Sequence, residues 1–220
     1  MSSNNRFLTY YPVFLNINDK LCVVIGGGQV ALRKVESLLE CGAAIKVISP
    51  DLCTGLNRLV ENGKIDTHRR CYRDGDLNDA HIIIVATDDR DTNREVVKET
   101  NRRAILVNVV DDADNSSFIV PSIVRRGDIT IAVSTAGRSP ALARKIKTRL
   151  ENNFGDEFAT LALIIDDIRR EIKRQRIKIN SDAWQDAIDL NILISLIKSG
   201  DIKKAKDTLL RNLKVIPRIN

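Results

Sequence analysis

Aromatic side chains make up 4% of the 220 residues and are not interleaved with basic ones, so a base-stacking surface for nucleic acid is not expected. Long apolar runs are missing too. The strongest, around Ile82–Ala86, falls far short of the roughly 20 residues that span a bilayer, so no membrane association is expected. Met1–Arg6 lacks the apolar stretch and cleavage pattern of a signal peptide, which makes a cytoplasmic location the expectation. The four cysteines, Cys22, Cys41, Cys53 and Cys71, include no close pair of the zinc-knuckle or redox type and read as reduced thiols. His68 and His81 have no companion at metal-ligand spacing, so no fixed metal site is expected. No serine, cysteine and histidine arrangement suggests a nucleophilic triad, and any acid or base is expected to be a carboxylate.

What is present is an alternation of short apolar strands and helical patterns. Leu21–Ile25 is a continuous β-branched run, followed by three glycines and then by Val30, Leu32, Val35, Leu38 and Leu39 at helical spacing. Gly42 stands where a helix ending needs a left-handed residue. Further strands are predicted at Ile45–Ile48, Ile65–His68, Ile82–Ala86 and Ile105–Val109, with helices at Leu52–Asn62 and Asn93–Asn101. Such alternation implies a doubly wound parallel α/β sheet. After Asp111 the rhythm changes: Ser117–Val120 and Ile129–Ser134 read as strands with no helix between them. Ser139-Pro140 then opens a helix with Leu142, Ile146, Leu150 and Phe154 on one face, and more helices are predicted at Glu157–Arg174, Ala183–Lys198 and Ile202–Leu213.

Gly26-Gly27-Gly28-Gln29-Val30-Ala31 fits the dinucleotide pattern G-x-G-x-x-A in the required place, between a strand and a helix. Gly26 permits the tight turn, Gly28 lets a pyrophosphate approach the backbone, and the N–H groups of Gln29 and Val30 face it. The end of the second strand, Ser49-Pro50-Asp51, is the candidate ribose contact. With no arginine there to meet a 2′-phosphate, the expected cofactor is NAD. Thr87-Asp88-Asp89 and Asn108–Asp112 follow later strands, where ligands of open α/β sheets collect, although turn chemistry accounts for such residues equally well. Ser134–Pro140 is a third polar cluster, either a capped loop or a substrate-binding one. Charge is uneven: residues 1–137 carry 17 basic against 18 acidic side chains, and residues 138–220 carry 18 against 11. The C-terminal part therefore attracts anions.

Seven segments in order resemble the precorrin-2 dehydrogenase/siroheme synthase family: Tyr11–Phe14, Val24–Gly28, Arg33-Lys34, Ala86–Asp89, Asn108–Asp111, Ser117–Ser122 and Ser139–Arg144. The likeness runs from Tyr10 to Leu150, and Ala136 departs from a glycine frequent in the family's serine- and glycine-rich loop. The resemblance implies an NAD-binding Rossmann domain over residues 1–113, a dimerisation region over 114–150 and a helical domain over 151–220. It implies oxidation of precorrin-2 to sirohydrochlorin by a homodimer, with Asp111 as the catalytic carboxylate. Thr135 matches the family's loop position beside the substrate, and Asn108, Ser134, Arg138 and Arg144 are grouped with it as substrate contacts. Some members also insert ferrous iron, and the sequence leaves that activity open. A regulatory domain that senses NAD without catalysis is the competing reading, because fold alone does not exclude it.

Overall fold

The structure, a computed structural model, describes residues 9–214. They form two compact units that divide between Val120 and Pro121. The first contains β1 (Leu21–Ile25), α1 (Gln29–Leu39), β2 (Ala44–Ile48), α2 (Thr54–Glu61), β3 (Asp66–His68), β4 (Ile82–Val85), α3 (Arg90–Arg103) and β5 (Leu106–Val109). The strands pair in parallel in the order β3-β2-β1-β4-β5. In β1, Cys22 and Val24 join one apolar cluster while Val23 and Ile25 join another, as a strand buried on both faces requires. Ala31 and Val35 of α1 and Leu56 of α2 cover the first face, and Val96 of α3 covers the second. This is the expected doubly wound sheet.

Between β3 and β4 the alternation pauses. Residues 69–81 form turns instead of a helix, and Tyr72, Leu77 and Ala80 supply the apolar cover that a helix would give. The segment is anchored by Glu99 of α3, a fully buried carboxylate. Its Oε2 accepts the Tyr72 hydroxyl and the Gly75 N–H (3.1 Å), and Arg103 Nε lies 2.9 Å from Oε1, paired in charge though not aligned as a hydrogen bond. Burial, then the bond to Glu99, drives the Tyr72 pKa upward, so its proton stays in place as donor. Arg70 clamps Asp76 through two hydrogen bonds of 2.7 Å within the same segment.

Several predicted boundaries move, each for a local reason. The third helix starts at Arg90, earlier than expected, because Asp89 accepts the Asp91 N–H and caps it. Ser117–Val120 is not a strand: Ser116 and Ser117 turn their hydroxyls onto the N–H groups of Val109 and Val107 of β5, tying the segment to the first unit. Local side-chain bonds of this kind compete with a regular ladder.

The second unit opens with an antiparallel hairpin, β6 (Ser122–Arg126) and β7 (Ile129–Val133), followed by α4 (Pro140–Asn153), α5 (Glu157–Arg174), α6 (Ser181–Ala187), α7 (Leu190–Lys198) and α8 (Ile202–Asn212). One long helix was expected over Ala183–Lys198. Two form, because Asp189 accepts the N–H groups of Asn191 and Ile192 and starts α7 afresh. Leu161, Ile164, Ile168, Leu193 and Leu209 centre a core shared by α5, α7 and α8. The apolar face predicted for α4 is only partly covered, with Leu142 51% and Ile146 37% exposed.

Replacing Glu99 by alanine strands the Tyr72 hydroxyl and the Gly75 N–H in a buried place. We expect the unfolding free energy to fall by about 3 kcal/mol, the scale of a broken buried ion pair, in denaturant titration. A loss below about 0.5 kcal/mol, typical of a surface change, would show that the segment is held by its apolar contacts alone.

Candidate functional site

The strand order reverses its direction of growth between β1 and β4: from β1 the chain moves outward to β2 and β3, then returns to add β4 and β5 on the other side. Parallel sheets open a crevice at the carboxyl ends of the strands on either side of such a reversal. The glycine turn after β1 forms one side of that crevice and the loop after β4 the other.

Each glycine answers a different demand. Gly26 sits at φ +121, and a Cβ there would lie 2.2 Å from the Ala86 carbonyl oxygen. A Cβ on Gly27 would lie 1.8 Å from the Asp51 carbonyl oxygen and 2.8 Å from Ser49 Oγ. Gly28 meets nothing within 4 Å and has an ordinary φ of −85. The fold itself makes no steric demand for glycine at position 28, and the space beside it is open. The first bond of α1 runs from the Leu32 N–H to the Gly28 carbonyl, and no side chain caps the helix. The N–H groups of Gln29, Val30 and Ala31 therefore have no acceptor within the helix. Open space over uncapped amides at the positive end of a helix suits a pyrophosphate.

The loop after β2 is joined to this turn by the Cys53 N–H, which donates to the Gly27 carbonyl at 2.7 Å. Ser49 is buried beneath it, while Pro50 and Asp51 are exposed at the crevice rim. After β4, Thr87 is half-buried and its Oγ1 accepts the Asp89 N–H at 3.2 Å. Asp88 is exposed. Asp89 is occupied as the α3 cap: the Thr92 hydroxyl and then the Asp91 N–H hold its carboxyl below the usual carboxylate range.

After β5 the chain makes a tight turn in which the Asp112 N–H donates to the Val109 carbonyl. Asp111 occupies the left-handed conformation there, at φ +60, with its side chain exposed. Asp and Asn are the non-glycine residues that tolerate this backbone best. Asp112 is spent on Asn115, which donates to both of its carboxylate oxygens. Asn108 lies buried within β5, and its Nδ2 donates to the Phe118 carbonyl at 3.0 Å, so half of its amide serves the fold. Lys34, a half-buried residue of α1, has its pKa pulled down by burial and by Arg33, while Asp111 acts in the opposite direction.

The remaining substrate candidates belong to the second unit. Ser134 Oγ accepts the Ala136 N–H, and Thr135 Oγ1 accepts the Ser139 N–H, each at 3.0 Å. Ser139 in turn caps α4 through the Leu142 N–H. Ala136 is left-handed at φ +50, which is the backbone that the glycine frequent in the family would adopt without strain. Arg138 and Arg144 are exposed, the first before α4 and the second within it. Sequence reasoning left Gly27, Lys34 and Asn93 without a role. The unbroken run of three glycines was the available signal for Gly27. No spacing rule singled out the other two.

Gly28→Val and Gly27→Val separate ligand room from chain room. Valine at position 28 should weaken dinucleotide binding at least tenfold, about 1.4 kcal/mol or more, while shifting stability by no more than about 1 kcal/mol of capping. Valine at position 27 must push the Asp51 backbone aside and should destabilise the fold itself. Calorimetry and thermal melting of both variants check this, and unchanged affinity in Gly28→Val would contradict it.

Comparison with known proteins agrees with this geometry. Residues 13–122 match the family model described as "Putative NAD(P)-binding", and residues 126–153 match that of the sirohaem biosynthesis protein central region. The siroheme synthase of Photorhabdus laumondii is 34% identical over 209 residues, covering 94% of this chain and 44% of that protein. The siroheme synthase of Methylococcus capsulatus is 39% identical over 167 residues, covering 76% of this chain and 35% of that one. This chain therefore spans less than half the length of these relatives. Among solved structures, the precorrin-2 dehydrogenase SirC superposes with a TM-score of 0.70 at 25% identity, covering 93% of this chain and 99% of SirC. Both sequence segments, the full-length structural likeness and the ordered strand-end motifs lead to one assignment: the chain belongs to the precorrin-2 dehydrogenase/siroheme synthase family.

Proposed function

We propose that the protein is an NAD-dependent dehydrogenase that oxidises precorrin-2 to sirohydrochlorin. One observation carries this reading: a glycine turn with open space and uncapped amides follows β1, and an exposed carboxylate, Asp111, held in a left-handed turn, follows β5 at the same carboxyl edge of the parallel sheet. Gly26, Gly28, Gln29 and Val30 would hold the pyrophosphate, Ser49, Pro50 and Asp51 the adenosine ribose, and Thr87 and Asp88 the opposite side. The exposed acidic Asp51 at the ribose position favours NAD over its 2′-phosphorylated form. Bound NAD supplies the hydride acceptor. The substrate gives up a proton as well, and Asp111 is the base that receives it.

The tetrapyrrole is a polycarboxylate, and the basic excess of residues 138–220 gives it electrostatic complementarity. Arg138 and Arg144 are the proposed carboxylate partners, with Asn108, Ser134 and Thr135 as polar contacts. Ferrous iron enters this reading as a second substrate, with Asp111 again the proton acceptor. A homodimer is proposed through residues 114–150, supported by the two-stranded sheet β6–β7 and by the exposed Leu142 and Ile146 on α4, since an isolated hairpin is marginal by itself. The helical region 151–220 completes the proposed division after the Rossmann domain of 1–113. A cytoplasmic location accords with four cysteines outside any disulfide, of which Cys22 has its pKa pushed up to about 11 by burial. No helix among the described residues is long and apolar enough to cross a membrane.

The test is turnover of precorrin-2 with NAD, read as the absorbance of sirohydrochlorin, in the wild type and in Asp111→Asn. Asparagine keeps the size and tolerates the left-handed turn, so the thermal midpoint and NAD affinity should stay near wild type while turnover falls roughly 10²-fold or more. Wild-type turnover in Asp111→Asn would remove Asp111 from the chemistry. A wild-type protein that binds NAD but leaves precorrin-2 unchanged would favour a nucleotide sensor.

A further inference from the structure

Asn93 stands one turn into α3, a position where asparagine is a poor helix former. Helical side chains lean toward the N-terminus, and Asn93 follows this rule: its Nδ2 donates to the Thr87 carbonyl at 3.2 Å. The sheet ladder has already ended there, with the Ala86 N–H bonded to Ile25 and the Val110 N–H bonded to the Val85 carbonyl. Thr87 is therefore held by a side chain. The other end of the same amide, Oδ1, is buried without a hydrogen-bond partner among the described residues. A buried acceptor left unpaired counts against stability, offsetting what the donor contributes. An apolar residue of similar size would serve packing as well, so the amide is not explained by stability.

Its location suggests another reason. The loop that Asn93 holds presses on the glycine turn: a Cβ on Gly26 would lie 2.2 Å from the Ala86 carbonyl oxygen and 3.3 Å from the Thr87 nitrogen. Two backbones this close cannot shift independently. We propose that Asn93 is a positioning residue for the dinucleotide, fixing the Ala86–Asp88 backbone against the glycine turn so that both sides of the crevice keep their spacing. This rests on the reading of the crevice as the NAD site. Asn93 acts through Thr87 and has no part in the chemical step.

Asn93→Asp keeps the shape but replaces the donor with an oxygen facing the Thr87 carbonyl, and Asn93→Leu removes both polar atoms. NAD affinity of the intact protein, measured by calorimetry, should fall about tenfold in each, the scale of one lost hydrogen bond at a positioned site. The Michaelis constant for NAD should rise in step, with turnover at saturating NAD and the Michaelis constant for the tetrapyrrole staying within about twofold. Asn93→Leu should melt near the wild-type temperature, because it also removes the unpaired acceptor. Wild-type NAD affinity in Asn93→Leu overturns the proposal, as does a loss of turnover with the NAD constant unchanged. A wild-type protein that fails to bind NAD overturns the crevice assignment instead, and that measurement comes first.

Discussion

The closeness of three backbone segments at the carboxyl end of the sheet is the constraint on which the rest depends. Gly26 lies against Ala86, and Gly27 against Asp51, at separations no side chain could occupy. The loops after β1, β2 and β4 are thereby locked into one surface, reinforced by the Cys53 N–H bond to Gly27. Gly28, the next residue, faces open space. The contrast across three consecutive glycines separates what the chain needs in order to fold from what it leaves for a ligand. Two are consumed by packing, and the third leaves the start of α1 accessible to an anion.

The same division between structural and available groups runs through the polar residues. Asp89 caps α3, Asp112 binds Asn115, and Asn108 spends its Nδ2 on Phe118. Asp111 is the residue of the Asn108–Asp112 cluster that combines an exposed carboxylate with a left-handed backbone. Lys34 of α1 feels its charge, although burial and then Arg33 pull the Lys34 pKa the other way, downward.

Much of this was legible in the residues. The β-branched runs at 21–25 and 82–85 read as strands and the glycine run as the turn after the first of them, because strands covered on both faces are continuous apolar runs. Gly42 and Gly63 are left-handed where helices stop. The failures cluster where side chains override periodicity. Ser116 and Ser117 turned a predicted strand into a segment clipped onto β5, and Asp189 divided a predicted helix in two. Glu99 could not be recognised as buried from sequence, since its partners Tyr72 and Gly75 lie more than twenty residues away. Asn93 is similar: an amide that bonds a loop carbonyl looks, in sequence, like any polar residue on a helix.

The central claim is that the crevice between β1 and β4 holds the dinucleotide. Hydrogen exchange with and without saturating NAD tests it at the level of single amides. The account predicts slowed exchange at Gln29–Ala31 and around Thr87–Asp89, with α7 and α8 unaffected by direct contact. Protection confined to the helical unit, or none at the start of α1, would contradict it.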